Sequence, residues 1–226
     1  MKHLSLITEK LKEADFFLER MVAAGLHVEE LNYYFSAFAS AARSVTFVLQ
    51  YVGSAIGEEF DKWYEPTQAR LRGDKVAKYL LEARNEALKT GAQPISYGQR
   101  VKQPNGEETV IHFFSYIGSE APAEVPSMDV FSACRHQMTN LTGLVAEFLG
   151  RFEAEVWDES RERQVFSMQL DEVKSIVLGG DIPDGLWQKV IGHIESDSFH
   201  PPKPSETIRS LVAKYGNPSV QDGCGA

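Results

Sequence analysis

At 226 residues the chain is long enough to bury a full core as one domain, or as one domain with a decorated end. Its 43% hydrophobic and 24% charged residues are ordinary for a globular protein, and no apolar run approaches the roughly 18 residues of a membrane span. The net charge of −9 argues against tight nonspecific nucleic-acid binding by the chain as a whole.

The first segment, 5–24, has Leu6, Leu11, Phe17, Leu18 and Met21 on one side and charged residues on the others, which predicts an amphipathic helix stopped by Gly25. Charges interrupt the opening residues at once, so no signal-peptide core forms and a cytoplasmic protein is expected. A second helix is predicted over 28–53, about 37 Å long. The small residues Ser36, Ala37, Ala39, Ser40, Ala41 and Ala42 at its centre let a neighbouring helix approach closely. Its Asn32, Ser36 and Ser40 either bond back to their own helix or meet a polar group on that neighbour.

A short helical turn, 58–64, is expected to end before Pro66. A third helix follows it, broken at Gly73 before a fourth that runs to Gly91. From Ile95 the period changes to two. Segments 95–102 and 109–117 flank Asn105-Gly106, a strong hairpin signal. Both hairpin faces are largely apolar, so the ribbon must pack on helices or on another chain. Ser127 is predicted to cap a long helix over 128–156. Weaker helices over 169–178, 185–193 and 206–215, the last capped by Ser205, make a small C-terminal appendage over 158–215. Residues 216–226 read as a disordered tail. The expected fold is therefore mainly α: an up-and-down helical bundle over 1–157 with an inserted β-hairpin at 95–117, then the appendage.

The fourth helix carries the one constellation that points to chemistry. At 100° per residue, Val76, Ala77, Leu80, Leu81, Ala87 and Leu88 fall within about 80° of Arg84, placing a guanidinium on the apolar stripe. Such a cation needs a carboxylate, a carbonyl or a bound anion to meet its donors. Asn85 lies at the border of the stripe and Lys89 about 140° round. Residues 69–102 hold eight basic and three acidic side chains, net +5, leaving −14 for the rest. Positive charge is thus concentrated around this helix, either to attract an anionic partner or as a solvated face balanced by acids elsewhere.

Four long helices with an Arg-Asn pair on an inner one, in the run Glu82-Ala83-Arg84-Asn85-Glu86-Ala87-Leu88-Lys89, resemble the HEPN superfamily over about 5–156. The resemblance implies a dimer-forming helical bundle, an RNA or protein partner, a defence or toxin–antitoxin setting and, in many relatives, metal-independent ribonuclease activity. The superfamily motif places a histidine four to six residues after the arginine, where this chain has Lys89. An ammonium, which ordinarily titrates near pH ~10.4, is a poor proton shuttle at neutral pH. The expectation is a non-catalytic binding protein with Arg84, Asn85 and Lys89 as its binding residues. Two alternatives stand beside it: a ribonuclease whose base is His112 or His136, and a scaffold in which Arg84 is structural.

Other chemistry is thin. The six histidines are scattered without metal-ligand spacing, so neither a metal nor a cofactor is expected. Cys134 and His136 are too close in sequence to stack on one helix face, and Cys134 with Cys224 makes no disulfide framework.

Overall fold

The computed structural model describes residues 4–102, 106–115, 128–165, 167–168, 184–196 and 200–216. Helix α1 (Ser5–Ala23) turns at Gly25, whose φ of +58° is left-handed and suits a residue without a Cβ, and α2 (Val28–Gly53) packs back along it. Then come α3 (Glu58–Gly73), α4 (Lys75–Thr90), strands β1 (Ile95–Lys102) and β2 (Glu108–Phe114), and the 27-residue α5 (Val130–Val156). A helical stretch α6 (159–165), α7 (Asp184–Glu195), α8 (Pro204–Thr207) and α9 (Arg209–Tyr215) complete the described chain. The protein is a mainly helical bundle with an inserted two-stranded antiparallel hairpin.

The core follows the apolar faces. Leu11, Leu18, Phe35, Val45, Met138 and Phe148 are among its fully or almost fully buried members. An aromatic cluster of Phe60, Trp63, Tyr64, Phe148 and Phe152 joins α3 to α5, and Trp63 Nε1–H donates to Glu147 Oε1 at 2.9 Å. The C-terminal helices share this core, since Ile208, Leu211 and Tyr215 are buried within it. Their end is fastened to α1, where Tyr215 Oη–H donates to Asp15 Oδ1 at 2.6 Å and Lys214 Nζ reaches Asp15 and Glu19, each at 2.7 Å.

Four boundaries differ from the expectation. Helix α3 does not end before Pro66 but runs through it. Pro66 lies on the exposed side, where the Lys62 carbonyl that loses its intrahelical donor is open to water, while Phe60, Trp63, Tyr64 and Thr67 bury the other side on both sides of the proline. The cap of α5 is Asp129, whose Oδ1 accepts from Phe131 N at 2.9 Å and Ser132 N at 3.1 Å. The expected cap, Ser127, lies outside the described residues. Ser205 sits inside α8 rather than capping it, and its N–H and hydroxyl donate to Glu153 at 2.8 and 2.6 Å. Pro204 opens that turn because a first-turn residue needs no N–H partner. Strand β2 ends at Phe114, with Tyr116 and Ile117 outside the described residues. The predicted helix 169–178 and the tail 217–226 are also outside them.

The hairpin is a cover on its own chain's bundle. It rests on α2 and α5, with Ile95, His112 and Phe114 buried beneath it and Tyr97 stacked obliquely on Phe113 above, ring centroids 5.4 Å apart. The register is Gly98 opposite His112 and Lys102 opposite Glu108, with an irregularity between Ile95 and Gly98. Gly98 is required by its partner: a Cβ there would meet the His112 ring at 2.4 Å.

Candidate anion-binding face

Helix α4 is built for precise placement. Asp74 caps its start by accepting from Ala77 N at 2.9 Å, and Gly91 closes it in a left-handed conformation, φ +71°. Its buried residues are Val76, Tyr79, Leu80 and Ala83. The centre of that face lies about 90° from Arg84, so the arginine stands at the border of the stripe and not in its middle. Leu88, expected on the stripe, is 62% exposed, because it lies about 130° round the helix from the centre of the buried face.

The Arg84 head is half-buried against α2. Its Nε–H donates to Ser40 Oγ and an Nη1–H to Asn85 Oδ1, both at 3.1 Å. Both partners are neutral, and among the described residues no carboxylate pairs with Arg84 within ion-pair distance. Of the polar residues of α2 singled out above, Ser40 meets the neighbouring helix, and Asn32 bonds back to the Val28 carbonyl at 2.9 Å. Lys89 is exposed and turned about 140° from Arg84, which prevents the two from gripping one anion directly between them.

Neither alternative histidine joins this group. His112 is fully buried, donates Nε2–H to the Gly25 carbonyl at 2.6 Å and packs edge-on against Phe131. His136 pairs with Asp74 at 2.9 Å, and Asn140 donates to the same carboxylate oxygen at 2.6 Å. Ten residues of helix, about 15 Å, separate Asp74 from Arg84. Cys134 is buried, and desolvation, followed by the Asp129 charge, pushes its thiol well above the usual range, so it is no nucleophile.

The Asp74 knot makes a prediction of its own. Burial pushes the carboxyl up, but the Ala77 N–H and the His136 ring outweigh it and hold the group below its ordinary value. A depressed folded-state pKa means stability that is fully present above the unfolded value of about 3.9 and lost as pH falls through the folded one. Asp74→Asn, which keeps a capping side chain but no charge, should therefore flatten the acid limb of the stability curve. Urea midpoints that fall equally steeply in both proteins below about pH 4 would remove this assignment.

Alongside Arg84, one turn nearer the start of α4, helices α2, α3 and α4 enclose a cleft of about 440 Å³. Arg43, Arg72 and Lys78 line it, and no Asp or Glu is among its lining residues. The Arg43 guanidinium lies over the Phe47 ring at 4.3 Å, and its Nη1–H reaches Thr46 Oγ1 only at 3.4 Å. Burial pushes the Tyr64 phenol in this cleft above its ordinary value, against the opposing pull of Gln50, Arg43, Gln68 and Arg72. Sequence reasoning misses this cleft because its cations come from three helices. The excess of positive charge over 69–102 is its one trace in the linear chain, and that excess supplies Arg72 and Lys78 but not Arg43.

Among the described residues no group of His, Cys, Asp and Glu is arranged to hold a metal, and no helix is long and apolar enough to cross a membrane. The family described as "Bacteriophage lambda protein ea47" matches residues 4–96, less than half of the chain, and that stretch is similar to it. The match spans α1 to α4, so it includes Ser40, Arg43, Arg84, Asn85 and Lys89, and it ends as the hairpin begins. No curated protein and no solved structure matches the chain.

Proposed function

We propose that the protein is a non-catalytic, HEPN-like binding protein that holds RNA through its phosphate backbone, with Arg84 and Asn85 at the centre of the contact and Lys89 at its edge. The observation that carries this reading is the Arg84 head, fixed on a rigid helix by two neutral partners. A guanidinium so placed is oriented but not neutralised, and the rest of its donor fork suits a phosphate. The local excess of positive charge in an acidic chain supports the same reading, since it directs a polyanion to this face and away from the others. The non-catalytic part rests on the placement of His112 and His136, each of which is bound to another partner, Gly25 and Asp74. The protein acts as a homodimer in this reading, and the exposed Tyr33 and Tyr51 of α2 offer apolar area for a second copy.

The test is a salt titration of labelled single-stranded RNA binding. Arg84→Ala should weaken binding about tenfold, the loss of one charge-assisted contact, and reduce the salt dependence. Lys62→Ala, which removes an exposed cation already paired with Glu58, should leave it unchanged. RNA that stays intact through the assay is the expected result. Cleavage that disappears in Arg84→Ala would replace this reading with a ribonuclease whose base comes from a second copy.

A further inference from the structure

The cleft beside Arg84 has a composition that a strand of phosphates alone does not need. Its walls are apolar, with Ala39, Ala42, Leu80 and Leu81 among them, and its volume of about 440 Å³ is that of a small-molecule pocket. Three amides, Gln50, Gln68 and Gln137, line it together with the Tyr64 phenol, and Gln50 already donates to the Thr46 carbonyl at 3.1 Å. Gln137 Oε1 is buried without a partner among the described residues, an acceptor that costs the fold stability until a donor reaches it. The cations Arg43 and Arg72 stand beside the phenol.

We propose that this cleft binds a nucleotide, with the base between the apolar walls, its edge read by the glutamine amides, and its phosphate held by Arg43 and Arg72. Each class of side chain has a share that simpler ligands leave idle. Inorganic phosphate would leave the apolar walls and the Gln137 acceptor unused, and an acyl chain would leave the buried Gln137 acceptor without a donor. A base offers both N–H donors and ring acceptors on one flat edge, which matches amides that carry both. Phe47, 54% exposed and already under the Arg43 guanidinium, extends the apolar wall toward solvent. The nucleotide is either free or one residue of an RNA strand, and the chemistry of the pocket is the same for both.

Calorimetric titration of the full chain with AMP, GMP, CMP and UMP tests this, with the four matching nucleosides and inorganic phosphate as comparison ligands. At least one nucleotide should bind ten or more times tighter than its nucleoside and than phosphate. Arg72→Gln should weaken that nucleotide about tenfold with an unchanged melting temperature in the absence of ligand, and Gln137→Leu should narrow the difference between bases without lowering that temperature. Competition by a short RNA would assign the nucleotide to a strand, and its absence to a free ligand. The inference is overturned if no nucleotide binds at millimolar concentration, if phosphate binds as tightly as the nucleotides, or if Arg72→Gln and Arg43→Gln fold normally and bind unchanged. RNA binding without nucleotide binding would sink this inference and leave the Arg84 reading standing, and nucleotide binding without RNA binding would do the reverse.

Discussion

Asn32→Ala is expected to destabilise the protein by about 3 kcal/mol and to loosen the hairpin before the bundle. Asn32 projects from the buried side of α2 and meets the first residue of β1 with both ends of its amide: Oδ1 accepts from Ile95 N and Nδ2 donates to Ile95 O, each at 3.0 Å. A second Nδ2–H goes to the Val28 carbonyl at 2.9 Å. The side chain thus stands in for a neighbouring strand at the point where the ladder is irregular and the backbone of Ile95 is buried. Alanine leaves both groups of Ile95 without a partner, and each buried unsatisfied group costs about 1–3 kcal/mol. The measurement is amide exchange together with urea unfolding. Protection should fall over 95–102 and 108–114 more than in α1, and a loss of less than about 1 kcal/mol would mean that water takes the place of the amide.

A second large effect is expected where α2 ends against α3. Gly53 lies under the Phe60 ring so closely that an added Cβ would sit 2.2 Å from its Cε2, and Phe60 is itself stacked on Tyr64, ring centroids 5.1 Å apart, within the α3–α5 aromatic cluster. Phe60→Ala should cost about 4 kcal/mol from lost burial and the cavity left behind. Gly53→Ala should cost about 2 kcal/mol by displacing the ring, against the mild gain alanine usually brings to a helix. In the double variant the added methyl enters the space the ring vacated, so the total should fall short of the sum by more than about 1 kcal/mol. Strict additivity in the double-mutant cycle would show that the cost of Gly53→Ala does not come from the Phe60 ring, and the close packing would then have no energetic meaning.

Much of this architecture is legible in the linear chain because its signals are local. The apolar spacing of α1 and α2, the Gly25 and Gly91 stops and the switch to alternation at Ile95 each reflect the geometry of a few neighbouring residues. Local rules mislead where a distant partner overrules them. Pro66 reads as a helix stop, yet Phe60 and Trp63 before it gain enough by facing α5, and Thr67 after it by burial, that the helix continues with its missing hydrogen bond turned to solvent. Ser205 reads as a cap, yet its hydroxyl is taken by Glu153, 52 residues earlier.

The candidate site divides in the same way. Counting charges puts the positive excess around α4, but helical periodicity alone puts Arg84 in the middle of the apolar stripe, whereas the face that packing buries is centred about 90° away and leaves the arginine at its border. That the guanidinium meets Ser40 and, among the described residues, no carboxylate, that His136 is held at the far end of α4 by Asp74, and that Arg43 joins Arg72 beside Tyr64 are outcomes of packing between helices. Periodicity states which way a side chain points along its own helix. Which partner it meets depends on how α2, α3, α4 and α5 cross, and that is set by side-chain volumes summed over the whole core.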